Sequence, residues 1–178
     1  MPGMHIRKIA FAGVVAALYA AMTIIIAPIS YGPVQFRIAE ALCILPFFYP
    51  VTALSLFIGC VIANLFSPYG ILDIVAGSMA SLLAALVTMQ LGRIRRDTLA
   101  MKTLACLPPV IFNALIIGAV IAWSSTSGGE AFWPAFIVNG FQVGLGQILV
   151  MYGVGLPLMV YLPKSNIFKK LSEQYRLQ

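Results

Sequence analysis

The stretch that decides the reading is Ser30 to Leu42, S-Y-G-P-V-Q-F-R-I-A-E-A-L. Tyr31-Gly32-Pro33 punctuates the backbone, since Gly32 permits φ > 0 while Pro33 fixes φ and removes a donor. Arg37 and Glu40 follow, in a chain where 9% of residues are charged. They stand three apart, so a helix here would put both on one face. A charged side chain in hydrocarbon costs roughly 2.5–3.5 kcal/mol on insertion scales, so such groups turn toward a protein interior or a wet cavity. The stretch is expected to wall a small-molecule site open to the outside of a membrane.

The surroundings are apolar. The 178 residues are 61% hydrophobic, with a mean hydropathy of +0.99; soluble domains are about 45–50% apolar and about 25% charged. These values imply an integral membrane protein. A crossing helix takes about 20 apolar residues. The chain therefore has room for about six spans: a single all-α, six-helix transmembrane domain over residues 1–178, with no soluble domain. The net charge of +6 reads as cytoplasmic anchoring rather than nucleic-acid binding. Cys43, Cys60 and Cys106 sit in apolar runs without C-x-x-C spacing and read as packing residues. Met1 to Lys8 is basic, but the apolar run after it is span-length and lacks a clear small-residue cleavage site, so no removable signal is expected.

The first expected span is about Ile6 to Pro28. Ala12, Ala16 and Ala20 recur every four residues, as do Gly13, Ala17 and Ala21, giving a smooth face for another helix or for the same bundle. The second, about Gln35 to Phe48, is short and contains Pro46. The third, about Val51 to Phe66, carries Asn64 near its end, and Ser67-Pro68-Tyr69-Gly70 is a turn. The fourth, about Ile71 to Leu91, has Asp73 in its first turn, where the helix dipole favours a carboxylate. The fifth, about Leu99 to Trp123, holds Pro108-Pro109, which should kink it, with Asn113 placed for repair. The sixth, about Phe132 to Leu162, is too long for one straight crossing and carries Asn139, Gln142 and Gln147. The tail from Pro163 is basic and reads as a surface helix.

Six spans put Arg7, Lys8, Arg93, Arg95, Arg96, Lys102, Lys164, Lys169, Lys170 and Arg176 on one side, and only Arg37 on the other. Both termini are then cytoplasmic in a multi-pass cell-membrane protein. Glu40, Asp73 and Glu130 fall in the outer half, with Asn64, Asn139 and Gln142 at similar depth. Spans 2, 3, 4 and 6 are thus expected to converge on one externally open pocket, as short or broken helices do in membrane binding proteins. Plainer roles stay open: an Arg37–Glu40 surface pair worth about 0.2–0.5 kcal/mol, or Asp73 as a helix cap.

At these residues the chain resembles a known family. Y-G-P-V-Q-F-R-I-A-E-A-L at 31–42, I-G-C-V-I-A-N at 58–64 and D-I-V-A-G-S at 73–78 look like the QueT family, S components of energy-coupling factor (ECF) transporters. The resemblance implies uptake of a queuosine precursor, a 7-deazaguanine such as 7-aminomethyl-7-deazaguanine. It also implies a membrane T component and two cytosolic ATPases as partners, the T component meeting Ala12, Ala16 and Ala20. A carboxylate can accept two adjacent N–H donors of such a ring, and an aminomethyl cation would need a second carboxylate. Glu40 and Asp73 are the expected acceptors, Arg37, Gln35 or an amide the donor to the carbonyl, Asn64, Gln142 and Asn139 orienting groups, and Tyr31, Phe36, Tyr69 or Trp133 a stacking surface.

The chain carries no G-x-x-x-x-G-K-[ST] loop, so ATP hydrolysis would belong to other subunits. Its single histidine, His5, leaves no His-based metal site or triad, so neither enzyme nor cofactor is expected. Competing readings are an S component for another vitamin-sized ligand and a stand-alone secondary carrier using Glu40 or Asp73 as a proton relay.

Overall fold

Inside a bilayer the backbone has only itself to bond to, and every element among the described residues is helical. The structure is a computed structural model that describes residues 2–32, 34–94, 98–127, 129–166 and 168, with side chains from Ile6 onward. Pro33, Arg95, Arg96, Asp97, Lys169, Lys170, Glu173, Arg176 and most of the expected tail helix (167 and 169–178) lie outside the described residues, as does the side chain of His5.

The elements are α1 (Pro2–Ile25), α2 (Ala27–Ser30), α3 (Ile38–Phe48), α4 (Thr52–Asn64), α5 (Asp73–Arg93), α6 (Leu99–Thr126) and α7 (Phe132–Lys164). Four of them, α1, α5, α6 and α7, are long and apolar enough to cross a membrane. α4 has 13 residues, about 20 Å at ~1.5 Å per residue, against ~30 Å of hydrocarbon. α3 opens with a 3₁₀ stretch, Ile38–Ile44, and ends in one α turn before Tyr49.

The long helices are not regular. α5 begins with a π turn at Asp73–Gly77, α6 contains one at Asn113–Ile117, and α7 one at Met151–Gly155. α6 is also broken at Cys106, because Pro108 and Pro109 cannot donate to the Leu104 and Ala105 carbonyls. Thr88 of α5 meets the freed Ala105 carbonyl from Oγ1 at 3.2 Å, whereas Asn113, expected to make the repair, donates from Nδ2 to the Pro109 carbonyl at 3.0 Å, where the π turn starts.

α1 lies along α4. Gly59 makes this possible, because a Cβ there would stand 2.6 Å from the Ala16 carbonyl oxygen. Ala16 and Ala20 are consequently buried and Ala12 half-buried, while Gly13, Ala17 and Ala21 are exposed. The small-residue row that α1 turns outward is thus the second of its two rows. The Ala16 and Ala20 expected at a partner face are inside the bundle.

α5 also gives the bundle its polarity. Twenty residues separate Asp73 from Arg93, about 30 Å along a helix. At the Arg93 end, Gly92 abuts the Phe47 carbonyl. There Phe11, Phe48, Tyr49 and Phe168 form an aromatic plug, and Tyr49 donates to the Phe168 carbonyl at 3.2 Å. Burial pushes the Tyr49 phenol up to about 12, so it stays a neutral donor. The other end carries the buried charges.

The α1–α4 contact makes a stability prediction. Gly59→Leu forces atoms into the α1 backbone and should lower stability by about 1–3 kcal/mol, read as the unfolding midpoint in detergent. Ala17→Leu, on the exposed row, should leave that midpoint unchanged. Equal behaviour of the two would detach α1 from α4.

Candidate functional site

The loop before α3 is tied down by its own side chains. Tyr31 donates to the Ala63 carbonyl at 2.5 Å, tying the loop to α4. Gln35 is 1% exposed and has φ +49°, a left-handed conformation that costs a non-glycine residue about 1–3 kcal/mol and concentrates at functional sites. Arg37 is extended, φ −93° and ψ 96°, and helix begins only after it. Arg37 and Glu40 therefore do not share a helix face, and they do not pair.

Arg37 pairs with Asp73 instead. Its Nη2 lies 3.0 Å from Asp73 Oδ2, both side chains essentially fully buried. Nε donates to the Ser30 carbonyl at 3.3 Å, and the guanidinium sits 5.2 Å from the centre of the Tyr31 ring, a cation–π distance. Ser67 donates to the same Asp73 oxygen at 2.5 Å, reaching in from the α4–α5 loop. Asn64 Nδ2 donates to the Asp73 backbone carbonyl at 2.8 Å. Gly77 allows this crowding: a Cβ there would meet Asp73 Oδ1 at 2.6 Å and Asn64 Nδ2 at 2.7 Å. The π turn at Asp73, not an N-terminal cap, sets this carboxylate, and no side-chain cap bond forms. In the loops, burial lifts the Tyr31 and Tyr69 phenols above their ordinary value, so both stay neutral donors.

Glu40 belongs to a second group. Tyr19 of α1 donates to its Oε1 at 2.5 Å, Ser81 of α5 stands 3.3 Å from the same oxygen, and Cys43 donates to Oε2 at 3.1 Å. Cys60 joins the two groups, 3.4 Å from Ser81 Oγ and 3.4 Å from Asn64 Nδ2. A continuous polar layer thus runs from Asp73 to Tyr19 through α4 and α5.

Comparison with known proteins fits this layout. A family model described as "QueT transporter" matches residues 9–164. The chain belongs to the QueT transporter family. This is a family of transporters, not of enzymes. The chain is also similar to the Queuosine precursor transporter QueT of Lactococcus lactis subsp. cremoris (strain MG1363), 38% identical over 71 residues. That match spans 39% of this chain and 41% of the relative, so under half of either protein is compared. No solved structure matches the chain.

Of the residues expected at the site of such a transporter, Arg37, Asp73, Asn64, Gln35 and Tyr31 do come to one end of the bundle. Glu40 lies deeper and is engaged by the protein's own donors. Asn139 is half-buried and bonds back to Ala135 of its own helix at 2.8 Å, and Gln142 is also only half-buried. The buried amide on α7 is Gln147, 1% exposed, next to Gly146, which abuts the Val34 carbonyl. Tyr19, Ser67 and Ser81 are further members that the charged-residue pattern did not single out.

Several buried polar atoms in this region have no protein partner: Ser30 Oγ, both amide atoms of Gln35, Arg37 Nη1, Asn64 Oδ1, Asp73 Oδ1, Ser78 Oγ and Gln147 Oε1. An unmade bond at such an atom costs about 1–3 kcal/mol, so each of these atoms calls for a partner from outside the protein, water or a polar guest.

The ion pair itself gives a stability test. Asp73→Asn leaves Arg37 buried without its counter-charge and should destabilise by about 3–5 kcal/mol. The double variant Arg37→Met with Asp73→Leu removes both charges and should recover most of that loss, read by denaturation in detergent. A double variant no better than the single one would show that the pair is not the source of the penalty.

Proposed function

We propose that the chain is the substrate-binding S component of an ECF-type importer, taking up a queuosine precursor, a 7-deazaguanine such as 7-aminomethyl-7-deazaguanine. The observation that carries this reading is the trio of free atoms on directly bonded residues: Arg37 Nη1, Asp73 Oδ1 and Asn64 Oδ1. Arg37 uses Nη2 on Asp73 Oδ2, which leaves one strong donor beside one strong acceptor. Asn64 turns its Nδ2 to the Asp73 carbonyl, so its free atom is an acceptor. The trio offers donor, acceptor, acceptor. The amino-lactam edge of a deazaguanine offers a carbonyl, a ring N–H and an amino group, which is the complement. Tyr69 packs beside Ile117, Ile121 and Val143 and would supply a flat wall for the ring.

In this reading the chain crosses the membrane six times with both termini in the cytoplasm. α3 and α4 are the short crossings, and the Asp73 end faces outward. Arg7, Lys8, Arg93, Lys102 and Lys164 then anchor the cytoplasmic side, consistent with the positive-inside rule. A membrane T component and two cytosolic ATPases supply the energy. Burial of Ala16 and Ala20 moves the expected T-component face by one residue, to Gly13, Ala17 and Ala21.

Two measurements test this. Isothermal titration with 7-deazaguanine should give binding that Asn64→Leu weakens more than tenfold; equal binding by parent and variant would remove the proposed pocket. Proteoliposome uptake should require the T component, both ATPases and ATP. Uptake by this chain alone would make it a secondary carrier.

A further inference from the structure

The polar atoms at the Asp73 end are sealed from solvent. Gln35, Arg37, Asn64, Asp73 and Gln147 are each 1% exposed or less. Any molecule that reaches them requires part of the bundle to move. The loop before α3 is fastened, through Tyr31 to the Ala63 carbonyl and through Arg37 to the Ser30 carbonyl. The opposite cover comes from α6 and α7, and it is built differently.

Ile117 of α6 lies over the notch at Gly77. A Cβ on Gly77 would stand 3.3 Å from Ile117 Cδ1, as well as against Asp73 Oδ1 and Asn64 Nδ2. Ile117 packs with Ile121 and Val143, and Tyr69 of the α4–α5 loop rests on this cluster. Beyond Ile117 the two helices continue as paired arms, Gly118–Thr126 and Phe132–Val150. The arms touch backbone to backbone: a Cβ on Gly118 would stand 2.6 Å from Gly140 Cα. Residues 118–126 pack mainly on 132–150 and on the π turn beside them. Aromatic rings tie the arms further, with Phe132 6.2 Å from Trp123 and stacked on Phe136 at 6.1 Å. Between Gly118 and Val150 the sequence holds one charged residue, Glu130, so moving the arms carries no charge through the interior.

Each arm joins the rest of its helix through a π turn, Asn113–Ile117 in α6 and Met151–Gly155 in α7. Such turns interrupt the regular ladder and are among the few places where a helix bends sharply. Hinges are short sets of residues of this kind that absorb the backbone change. Within the α7 turn, a Cβ on Gly153 would meet nothing within 4 Å, so there is room to bend.

We infer that Gly118–Thr126 and Phe132–Val150 form a rigid lid that swings on the two π turns and is the entry route to the buried polar layer. The lid is shut in this structure. Ile117 couples it to the site, because an occupant beside Asp73 and Asn64 meets the α6 hinge directly. The inference goes beyond the ligand reading above and holds for any molecule that reaches these atoms.

The test is the distance between pairs of spin labels on the full chain in nanodiscs, read by pulsed electron paramagnetic resonance. Phe66→Cys with Ser124→Cys measures the lid against the end of α4. Ile29→Cys with Phe66→Cys measures the α2 side against the same point, and Ser124→Cys with Leu145→Cys lies within the lid. All four positions are exposed, and the native Cys43, Cys60 and Cys106 are buried, so the parent sets the labelling background. Without ligand the lid pair should show two distances and each of the other pairs one. Saturating 7-deazaguanine should cut the share of the longer lid distance at least threefold. A single lid distance that 7-deazaguanine leaves in place overturns the inference. Two distances in the Ile29–Phe66 pair overturn it as well, by putting the moving part at the loop before α3. So does a broadened Ser124–Leu145 distance, which would mean that the arms come apart. Two lid distances indifferent to 7-deazaguanine uphold the lid and count against the ligand reading instead.

Discussion

The Arg37–Asp73 pair is the contact on which the rest of this fold depends. Each partner alone would be a charge out of water, at a cost of several kcal/mol. Together they require geometry that regular helices do not provide. Arg37 reaches Asp73 because the chain is extended at Arg37 and left-handed at Gln35. Asp73 meets it from a π turn rather than a regular helical one. Ser67 and Asn64 complete the arrangement from the α4–α5 loop and the end of α4. The irregular backbone at this end of the bundle is thus accounted for by one ion pair and its hydrogen bonds.

The two acids divide the layer between them. Asp73 stands at the end of the bundle, and one of its oxygens remains unused. Glu40 is deeper, with donors from α1, α3 and α5. The small residues that bring those helices together have a role beyond close packing. Gly59 lets α1 approach α4, which brings Tyr19 within reach of Glu40, and Gly77 makes room where Asn64 and Asp73 meet. Backbone proximity and polar contact are coupled here.

Much of this was legible in the sequence. Composition gave the helical membrane protein, and the proline pair gave the break in α6; the donor on the freed Ala105 carbonyl is Thr88 rather than the expected Asn113. The scarcity of charge pointed to Arg37, Glu40 and Asp73; Arg37 and Asp73 do meet, with Asn64 beside them, while Glu40 is bonded by Tyr19, Cys43 and Ser81 instead. What was not legible has identifiable causes. The three-residue spacing of Arg37 and Glu40 means a shared face only in a helix, and Arg37 is extended. Its partner lies 36 residues away, a long-range contact that no local spacing reveals. On α7, Gln142 and Gln147 are five residues apart, about 140° around the helix, so only one of them turns inward. On α1 the two small-residue rows are one position, about 100°, apart, and both suit close packing. Tyr19 breaks the tie, since a phenol beside Ala16 and Ala20 needs a buried acceptor and finds Glu40.

The central claim is that the unpaired atoms around Arg37 and Asp73 are completed by a bound heterocycle. Native mass spectrometry of the full chain released gently from its membrane, with identification of any retained small molecule, tests it most directly. The account predicts a retained compound with an amino-lactam ring, absent from the Asp73→Asn protein. A retained compound without such an edge, held equally by both proteins, would contradict it.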